Sequence, residues 1–393
     1  MKKTKDLRTW IEVDKKALEH NFKELLKLIP KHTYFMAVVK SNAYGHGLAQ
    51  VAKLLAEDRI KNLESRSASI NSKFQILNSR LWFGVDSIVE ALRLRREGIK
   101  NHILVLGSTL PSRMREAAEE NIVLTVSNFD ALTSLIRTNK RIVFHLKIDT
   151  GMHRQGFLPQ DTLKLIKLLK RFKLAPQGIY THFSAKDWGY PAYTERQFSE
   201  FKKVLALFER SGFKNLIRHA AASDATLLFP GARLGMVRVG MLLYGYWSSW
   251  VAKVKHPADL EIKPVLSWKT MVSEVKKIPR DSYVGYDLTE KVAKDTKIAI
   301  LPIGYWHGYD RGLSSAGEVL IRGRRRKILG RVSMDMIVVD VTDRPLVGVG
   351  DEAVLIGRQG REAVWADELA LKSQTSHYEF LTRINPLIRR VVK

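Results

Sequence analysis

Lys40 is the first residue whose position suggests chemistry. It follows the apolar residues 37–39 and precedes Ser41, Asn42 and the glycine-containing residues 44–47. A short apolar, β-branched run of this kind predicts a buried strand that ends at the lysine. A lysine at that point can be desolvated, which lowers its pKa and frees the amine as a nucleophile or a base. Most lysines at strand ends are simply solvated, so this position alone leaves both interpretations open.

Charged, polar or small residues end or follow later apolar runs in the same way: Lys147, Arg154, His182, Ser223, Arg238 and Gly240. Each has an ordinary interpretation as well, because a lysine and an arginine can be a surface pair and a lone histidine is often a satisfied core group. Arg238 is the most informative of them, since it interrupts an apolar run. A buried arginine needs an acceptor.

The apolar runs alternate with helix-like segments over the first part of the chain. Strand-like runs occupy residues 34–39, 81–85, 102–106, 123–126, 143–149, 178–183, 216–221 and 236–239. Repeated strand–helix units imply a parallel sheet, and about eight of them over roughly 230 residues fit a (β/α)8 barrel, a TIM-like fold. Catalytic residues gather at the carboxyl ends of the strands of such barrels. A doubly wound open sheet is the alternative, but its glycine-rich phosphate fingerprint is missing.

The pattern of apolar runs, helices and turns in the sequence predicts three segments. Residues 1–14 form an N-terminal strand that we expect to pack with the C-terminal domain, and residues 15–245 form the barrel. Residues 246–393 form a mainly β domain, because strand-like runs joined by Gly, Pro and Asp turns replace the alternation. Residues 57–81 break the strand–helix alternation, and residues 64–73 within them are polar and have no clear period. We interpret residues 57–81 as an insertion.

The composition excludes several classes of site. The chain has 393 residues, of which 45% are hydrophobic, and it has no cysteine. It can therefore bury a full core, and neither a disulfide nor a thiolate metal site can form. His-Glu-x-x-His spacing is absent, and we expect no metal. No apolar stretch is long enough for a membrane helix, and no apolar core follows the basic first residues, so we expect a cytoplasmic protein.

The net charge of +26 is the unusual feature of the composition. Strong basicity can indicate nucleic acid, an anionic membrane or acidic partners. The densest run, residues 322–327, lies between two apolar runs and predicts a hairpin with a charged tip. We find no nucleic-acid-binding motif, and we expect a solvated surface with neither a nucleic-acid nor a membrane partner. An anion-binding function stays the alternative.

Residues 37–47, AVVKSNAYGHG, resemble the pyridoxal-phosphate lysine motif of alanine racemases. Other segments resemble that family in the same order: 145–154, 180–184, 219–224, 236–240, 283–286, 304–311, 330–335 and 377–379. The resemblance runs from about Trp10 to Arg390, with a gap at residues 57–81. Because motifs from both predicted domains agree in order, the chain is identified as a member of that family.

The resemblance implies that Lys40 carries pyridoxal 5′-phosphate as a Schiff base. It implies further cofactor contacts from Tyr44, Arg154, His182, Ser223, Arg238, Gly240 and Tyr378. An arginine at the ring nitrogen keeps that nitrogen unprotonated, which weakens the ring as an electron sink and suits simple proton exchange. In many members the equivalent of Lys147 is carbamylated, and a carbamate would turn its repulsion of Arg154 into a charge-assisted contact.

The same resemblance supplies the substrate side of the site. It makes Tyr286 the second catalytic base, and it assigns the substrate carboxylate to Arg154 and the backbone N–H of Met334. The implied entrance residues are Tyr305, Arg311 and Arg331.

The implied function is an isomerase that interconverts L-alanine and D-alanine and supplies D-alanine for bacterial peptidoglycan. Lys40 would work on the face of D-alanine and Tyr286 on the face of L-alanine, since inversion needs a base on each side. The implied assembly is a head-to-tail homodimer with two shared sites, each using Lys40 from one chain and Tyr286 from the other.

Three residues depart from the family pattern: Ala222 replaces asparagine, Asp287 replaces glycine and His307 replaces aspartate. The alternatives are therefore a racemase of another amino acid, such as serine or lysine, or of a broad set, and a catalytically impaired cofactor-binding paralogue. A related decarboxylase is disfavoured, because those enzymes use a cysteine near the substrate. Non-catalytic relatives that consist of the barrel alone are disfavoured by the presence of the β domain.

Overall fold

The computed structural model describes residues 6–57, 80–138, 140–185, 189–343 and 346–393. The chain forms two compact units: a barrel unit of residues 19–41 and 51–263, and a β unit of residues 1–18, 42–50 and 264–393. The unit boundary at 263/264 differs from the predicted boundary at 245/246. Residues 42–50 also differ from the prediction, because they belong to the β unit. The predicted insertion at 57–81 lies almost wholly outside the described residues.

Eight parallel strands close the barrel: β2 (Tyr34–Val38), β3 (Leu81–Val85), β4 (His102–Val105), β5 (Val123–Val126), β6 (Phe144–Lys147), β7 (Gly178–Tyr180), β8 (Ile217–His219) and β9 (Met236–Val239). The last strand pairs with the first, in a register that sets Tyr34 opposite Met236. The predicted (β/α)8 barrel followed by a mainly β domain is confirmed. Several strands are shorter than predicted, because the chain leaves the sheet after Lys147, Tyr180 and His219.

The chain forms these helices between residues 15 and 255: α1 (Lys15–Lys27), α2 (Lys40–Tyr44), α3 (Leu48–Glu57), α4 (Ile88–Arg96), α5 (Met114–Glu119), α6 (Phe129–Arg137), α7 (Thr162–Arg171), α8 (Pro191–Arg210), α9 (Ser223–Leu228) and α10 (Trp250–Lys255). Side-chain caps define several starts. The Asn128 side chain accepts from the Ala131 N–H at 2.7 Å, and Ser87 caps α4 in the same way. Such caps satisfy N–H groups that have no partner within the helix.

The core of the barrel unit is continuous with its strands. Every residue of β3 is buried, including Trp82 and Phe83. Parallel strands that are covered on both faces read as unbroken apolar runs, which is why the runs were visible in the sequence.

The β unit contains β1 (Thr9–Val13), β10 (Leu266–Met271), β11 (Glu274–Ile278), β12 (Thr296–Leu301), β13 (Glu318–Ile321), β14 (Arg324–Leu329), β15 (Ile337–Asp340), β16 (Glu352–Gln359), β17 (Glu362–Val364) and β18 (Arg389–Val392), with α11 (Ala366–Lys372) and α12 (His377–Thr382). The sheet order is β11-β12-β15-β14-β13-β16-β10-β1-β18, and β17 pairs with β16. The N-terminal strand β1 thus lies between β10 and β18.

Two local features of the β unit have clear sequence causes. Strands β13 and β14 form a hairpin in which Arg322 and Gly323 have φ values of 50° and 70°, as a type I′ turn requires. The helix α12 was not predicted. Its signal is the cap itself, since the Ser376 hydroxyl accepts from the N–H of Glu379.

Candidate active site

The candidate residues of the barrel unit share one end of the barrel, where the strands terminate. Lys40 follows β2, Lys147 is the last residue of β6, His182 follows β7, Ser223 follows β8, Arg238 is in β9 and Gly240 follows it. The topology therefore brings together side chains from five of the eight strands. This is the end at which barrel enzymes place their chemistry.

Arg238 is buried at the centre of this group. Its guanidinium donates to the carbonyl oxygens of Thr181 at 2.8 Å and Ala220 at 2.9 Å. It also donates to ring nitrogens of His219 at 3.0 Å and His182 at 3.2 Å. Burial lowers the pKa of Arg238 to about 10, which still leaves it protonated at neutral pH. All four acceptors are neutral, so the positive charge is solvated without being cancelled.

The contacts of Arg238 fix a chain of neutral histidines. Because the arginine can only donate, His219 accepts at Nδ1 and its Nε2–H donates to His145 Nδ1 at 2.9 Å. Burial, followed by the charge of Arg238, holds the pKa of His219 well below its usual range. The Tyr180 ring stacks on His219 with centroids 4.6 Å apart. The imidazoles thus form a hydrogen-bonded, uncharged layer against the arginine.

Ser223 and Gly240 meet at the ends of neighbouring strands. The backbone N–H of Gly240 donates to the Ser223 hydroxyl oxygen at 3.1 Å. The hydroxyl accepts this bond, so its own hydrogen can be donated to another acceptor. Ala222, which precedes Ser223, provides no side-chain cap for α9. This pair can bind an anionic oxygen.

Lys147 lies buried at the end of β6, and its amine donates to the Gln155 side-chain oxygen at 2.9 Å. Burial first, and then the charges of Arg154 and Arg238, lower the pKa of Lys147 to about 8. A substantial fraction of this amine is therefore neutral at slightly alkaline pH. The charge of Arg154 is the second cause of that lowered pKa, after burial.

Arg154 is carried on a loop that Asp149 organises. The Asp149 carboxylate accepts from the backbone N–H groups of Gly151, Met152, His153 and Arg154 at 2.9 to 3.0 Å. Burial alone would raise the pKa of Asp149, but these donors together lower it below its ordinary value. The side chain of Arg154 remains exposed at this end of the barrel.

The amine of Lys40 lies 3.7 Å from the carboxylate of Asp86, and the lysine side chain is 36% exposed. Of the two interpretations that the sequence left open for this lysine, the structure agrees with the solvated one. Glu90 positions both partners, because it accepts from the N–H of Ser41 at 2.7 Å and from the N–H of Asp86 at 2.8 Å. Sequence reasoning missed Asp86 and Glu90, although Asp86 follows an apolar run as Lys40 does.

A left-handed turn begins directly after Lys40. Ser41, Asn42, Ala43 and Tyr44 have φ values of 50° to 55°. Such a conformation costs about 1–2 kcal/mol for each residue other than glycine, so it needs support from its surroundings. Strained backbone of this kind clusters at functional sites.

The support within the β unit comes from His46 and Arg390. The buried His46 ring places Nδ1 3.0 Å from the carbonyl oxygens of Ala43 and Tyr44, and burial lowers the pKa of His46 to about 4. The neutral ring therefore donates its Nδ1–H to them. Arg390 donates to the Gly45 carbonyl oxygen at 2.9 and 3.1 Å. Neither residue was a candidate from the sequence.

Tyr44 and Tyr378, the two candidate phosphate-side tyrosines, meet in the β unit. Their rings pack edge to face with centroids 6.2 Å apart. Gly45 makes this approach possible, because a Cβ there would lie 2.2 Å from the Leu381 carbonyl oxygen. The structure thus unites residues that are more than three hundred positions apart.

The remaining candidates line one cavity of about 820 Å³ in the β unit. They are Tyr286, Tyr305, Arg311, Arg331 and Met334. Asp287, Asp310 and Arg383 join them, so the lining carries both signs of charge. Tyr286 and Met334 are 68% and 55% exposed, and their side chains are accessible to another molecule.

Two of the three departures from the family pattern lie at this cavity or beside it. Asp287 has φ 63°, and its carboxylate lies 3.4 Å from Arg331 and 4.0 Å from Arg311. His307 is buried, and its Nδ1 accepts from the N–H of Gly304 at 3.2 Å. Burial lowers the pKa of His307, which keeps this nitrogen free to accept. Both residues hold the backbone beside the candidate tyrosines.

Comparison with known proteins gives a consistent family. Residues 13–64 and 75–248 match the alanine racemase N-terminal domain, and residues 265–392 match the alanine racemase C-terminal domain. The alanine racemase of Methylacidiphilum infernorum is 37% identical over 388 residues, which cover 98% of this chain and 92% of that protein. The alanine racemase of Leptospira interrogans is 34% identical, with coverages of 98% and 95%.

Solved structures agree with the sequence comparison. The alanine racemase from Bacillus anthracis with bound L-Ala-P superposes with a TM-score of 0.87 at 32% identity, over 98% of this chain and 95% of that chain. The alanine racemase of Clostridium difficile 630 gives a TM-score of 0.86 at 28% identity, over 98% and 96%.

The left-handed turn generates a stability prediction at Ser41, an exposed position with φ 55°. Ser41→Val should lower the free energy of unfolding by about 1 kcal/mol, because a β-branched side chain is disfavoured in this conformation. Ser41→Gly should leave it unchanged or raise it. Urea unfolding of the three proteins measures the difference. A valine variant as stable as the glycine variant would contradict the assigned backbone conformation.

Proposed function

The chain belongs to the alanine racemase family, and from that premise we propose that it interconverts L-alanine and D-alanine with pyridoxal 5′-phosphate as its cofactor. The observation that carries the proposal is the convergence, at one end of the barrel, of Lys40, Arg238 and the Ser223–Gly240 pair. The product D-alanine would serve bacterial peptidoglycan synthesis in the cytoplasm. Within the described ranges, no helix could cross a membrane and no cluster of metal ligands occurs.

The residues of the barrel unit fit this cofactor. The Ser223 hydroxyl, which already accepts from the Gly240 N–H, can donate to a phosphate oxygen. Arg238 is a buried donor whose partners are neutral, and it suits a ring nitrogen that accepts without carrying a proton. When bound, the cofactor acidifies the α-proton of an amino acid joined to it. The residues that hold it would be Lys40, Tyr44, Arg154, His182, Ser223, Arg238, Gly240 and Tyr378.

The protein supplies placement and two bases for the proton exchange. Lys40 Nζ would take or return the proton on the face of D-alanine. Tyr286 Oη does the same on the face of L-alanine. Arg154 and the Met334 N–H hold the substrate carboxylate, while Tyr305, Arg311 and Arg331 form the entrance. Each base then needs only to lie within hydrogen-bond reach of the α-carbon proton.

Arg238 limits the chemistry to that exchange. A fixed positive charge with neutral neighbours does not deliver a proton to the ring nitrogen, because its pKa of about 10 is far above that of a pyridine. The ring therefore withdraws electrons less strongly. A weakly electron-withdrawing ring favours removal and rapid return of the α-proton, and it disfavours transfer of the amino group.

We expect Lys147 to be carbamylated. Its neutral amine, available because the pKa is lowered to about 8, attacks CO2, forms an N–C bond and releases one proton. The product carries a negative charge, so it attracts Arg154 and fixes the arginine for the substrate carboxylate. The Gln155 amide suits both states, since its oxygen accepts from the amine at 2.9 Å and its NH2 group can donate to a carbamate.

The second base is expected to come from a second copy of the chain. Tyr286 and Met334 are exposed on the wall of the β-unit cavity, where another protomer can use them. A two-fold head-to-tail homodimer uses each such surface twice and gives two identical sites.

The direct test of the proposal uses the absorbance of bound cofactor and an assay with each L-amino acid. Wild-type protein should show the visible band of lysine-bound cofactor and should racemise L-alanine fastest. Lys40→Ala should lose both, and Lys53→Ala, an exchange of a lysine on α3, should keep both. A Lys40→Ala protein that retains band and activity would refute the central assignment. Faster turnover of serine or lysine would identify that amino acid as the substrate in place of alanine.

The shared site is tested by mixing two inactive variants. Tyr286→Phe should lower turnover by roughly 10²–10⁴ with cofactor still bound, whereas Tyr283→Phe should not. In a hybrid of Lys40→Ala with Tyr286→Phe, one site receives both lesions and the other receives neither. Random pairing makes about half of the dimers hybrid, so activity should return to roughly a quarter of wild type. Confirmed hybrids without activity would exclude sites shared between chains.

Carbamylation of Lys147 predicts a CO2 requirement with a defined pH dependence. Protein stripped of CO2 should lose activity, and at fixed dissolved CO2 the recovery rate should rise with pH up to about 8, where the amine becomes neutral, and then level off. Carbon-13 NMR with labelled bicarbonate should show a carbamate resonance that Lys147→Ala removes and Lys167→Ala keeps. An unlabelled spectrum together with CO2-independent activity would count against it.

A further inference from the structure

The positive charge of the chain is not spread evenly. The arginine-rich hairpin of the β unit is largely neutralised, because Arg322 lies 2.7 Å from Asp351, Arg325 2.6 Å from Glu368 and Lys327 2.9 Å from Glu290. This run, the densest in the sequence, is therefore a structural ion-pair cluster. The unpaired charge has to be sought elsewhere.

One group of unpaired cations lies at the amino end of the barrel, opposite the catalytic end. Eight exposed cations lie in or beside the three segments that precede β6, β7 and β8: Arg137, Lys140, Arg141, Lys170, Arg171, Lys173, Arg210 and Lys214. In the part of the chain that the structure describes, none of these eight has a carboxylate within salt-bridge distance. Glu209, the acid beside them in sequence, is paired with Arg218 at 3.3 Å. We call these eight residues, with Val143 and Phe172, the basic end.

The three segments are neighbours in space. The N–H of Gln177 donates to Phe144 at 2.8 Å, and the N–H of Ile217 donates to Gln177 at 3.0 Å. These bonds join the starting points of β6, β7 and β8. The cations of successive segments therefore lie along one continuous rim of the barrel.

Apolar side chains are exposed within this rim. Phe172 and Val143 are 42% and 39% exposed, and the Arg171 guanidinium lies 5.5 Å from the Phe172 ring centre. Cations in the last turn of a helix also stabilise the helix dipole, which accounts for Arg137, Lys170, Arg171 and Arg210. The dipole does not account for the cations in the loops beyond the helices, nor for an exposed phenylalanine among them.

We propose that the basic end binds the anionic surface of a lipid membrane, a partner that was not expected from the sequence. Cations around exposed apolar side chains are the combination that an anionic lipid interface favours, because headgroups attract the charges and the apolar groups enter the interface. The bases of a single-stranded nucleic acid could stack on Phe172 but not on Val143, which has no aromatic ring. The exposed valine therefore favours lipid over nucleic acid. The contact is peripheral, and it leaves the carboxyl end of the barrel, with Lys40 and Ser223, accessible to substrate.

The proposal is tested by sedimentation of the full-length, cofactor-loaded protein with vesicles. One set is phosphatidylcholine, and the other is phosphatidylcholine and phosphatidylglycerol in equal parts. The protein should bind the anionic set alone, and salt should release it. A variant with Lys140, Arg141, Lys170 and Lys173 changed to Gln should bind more than about a hundredfold less, because each cation contributes about fivefold.

A matched control changes Lys277, Lys294, Arg358 and Arg361, exposed cations of the β unit, to Gln and should bind as wild type does. Both variants should racemise alanine at the wild-type rate, which shows that they are folded. Phe172→Ser, which keeps every charge, should weaken binding several-fold to the anionic vesicles.

Three results would overturn the proposal: equal binding to both vesicle sets, equal loss in the control variant, or preferential binding of a mixed-sequence RNA oligonucleotide that displaces the protein from vesicles. The last result would identify nucleic acid as the partner. Because the assay measures sedimentation, its outcome does not depend on which amino acid the enzyme converts.

Discussion

The need to solvate one buried guanidinium, that of Arg238, determines how the side chains at the catalytic end of the barrel are arranged. Arg238 cannot lose its charge at neutral pH, so it must find acceptors inside the protein. It finds two carbonyl oxygens and two imidazole nitrogens on the strands and loops around it. Those bonds determine which nitrogen of His219 carries hydrogen, and through it the state of His145. A carboxylate in their place would have neutralised the arginine and changed the electronics that it can impose on a ring.

Because the charge of Arg238 is not neutralised by a nearby carboxylate, the site has a positive electrostatic field. Burial, followed by the charges of Arg154, Arg238 and Lys40, lowers the pKa of Lys147. Asp149 opposes them, but its carboxylate already accepts from four backbone N–H groups. A site with excess positive charge suits a phosphate and a carboxylate. It also lowers the pKa of a lysine, so the proposed cofactor binding and the proposed carbamylation rest on one electrostatic arrangement.

The β unit contributes by holding unfavourable backbone in place. Four consecutive residues after Lys40 have left-handed conformations. His46 binds the carbonyl oxygens of Ala43 and Tyr44, and Arg390 binds that of Gly45, the next residue. Asp287 repeats the pattern next to Tyr286, where ion pairs to Arg311 and Arg331 accompany φ 63°. In both places a candidate catalytic residue has rigid neighbours, although those partly exposed ion pairs are worth little as stability. The role of the Asp287 ion pairs is to fix the position of Tyr286.

The apolar pattern of the sequence determined the barrel, the β domain and the candidate residues of the barrel strands, because buried parallel strands read as apolar runs and functional side chains stand where those runs end. The candidates Tyr44, Tyr286, Met334 and Tyr378 came from the family resemblance. Family resemblance supplied their roles, and those roles remain proposals. Tertiary structure decided what depends on distant partners: the acceptors of Arg238, the Lys147–Gln155 bond, Asp86 beside Lys40 and the Tyr44–Tyr378 contact. It also decided where the unpaired charge lies. A linear count of lysine and arginine cannot distinguish the paired hairpin from the free rim, since ion pairing depends on which loops the fold brings together.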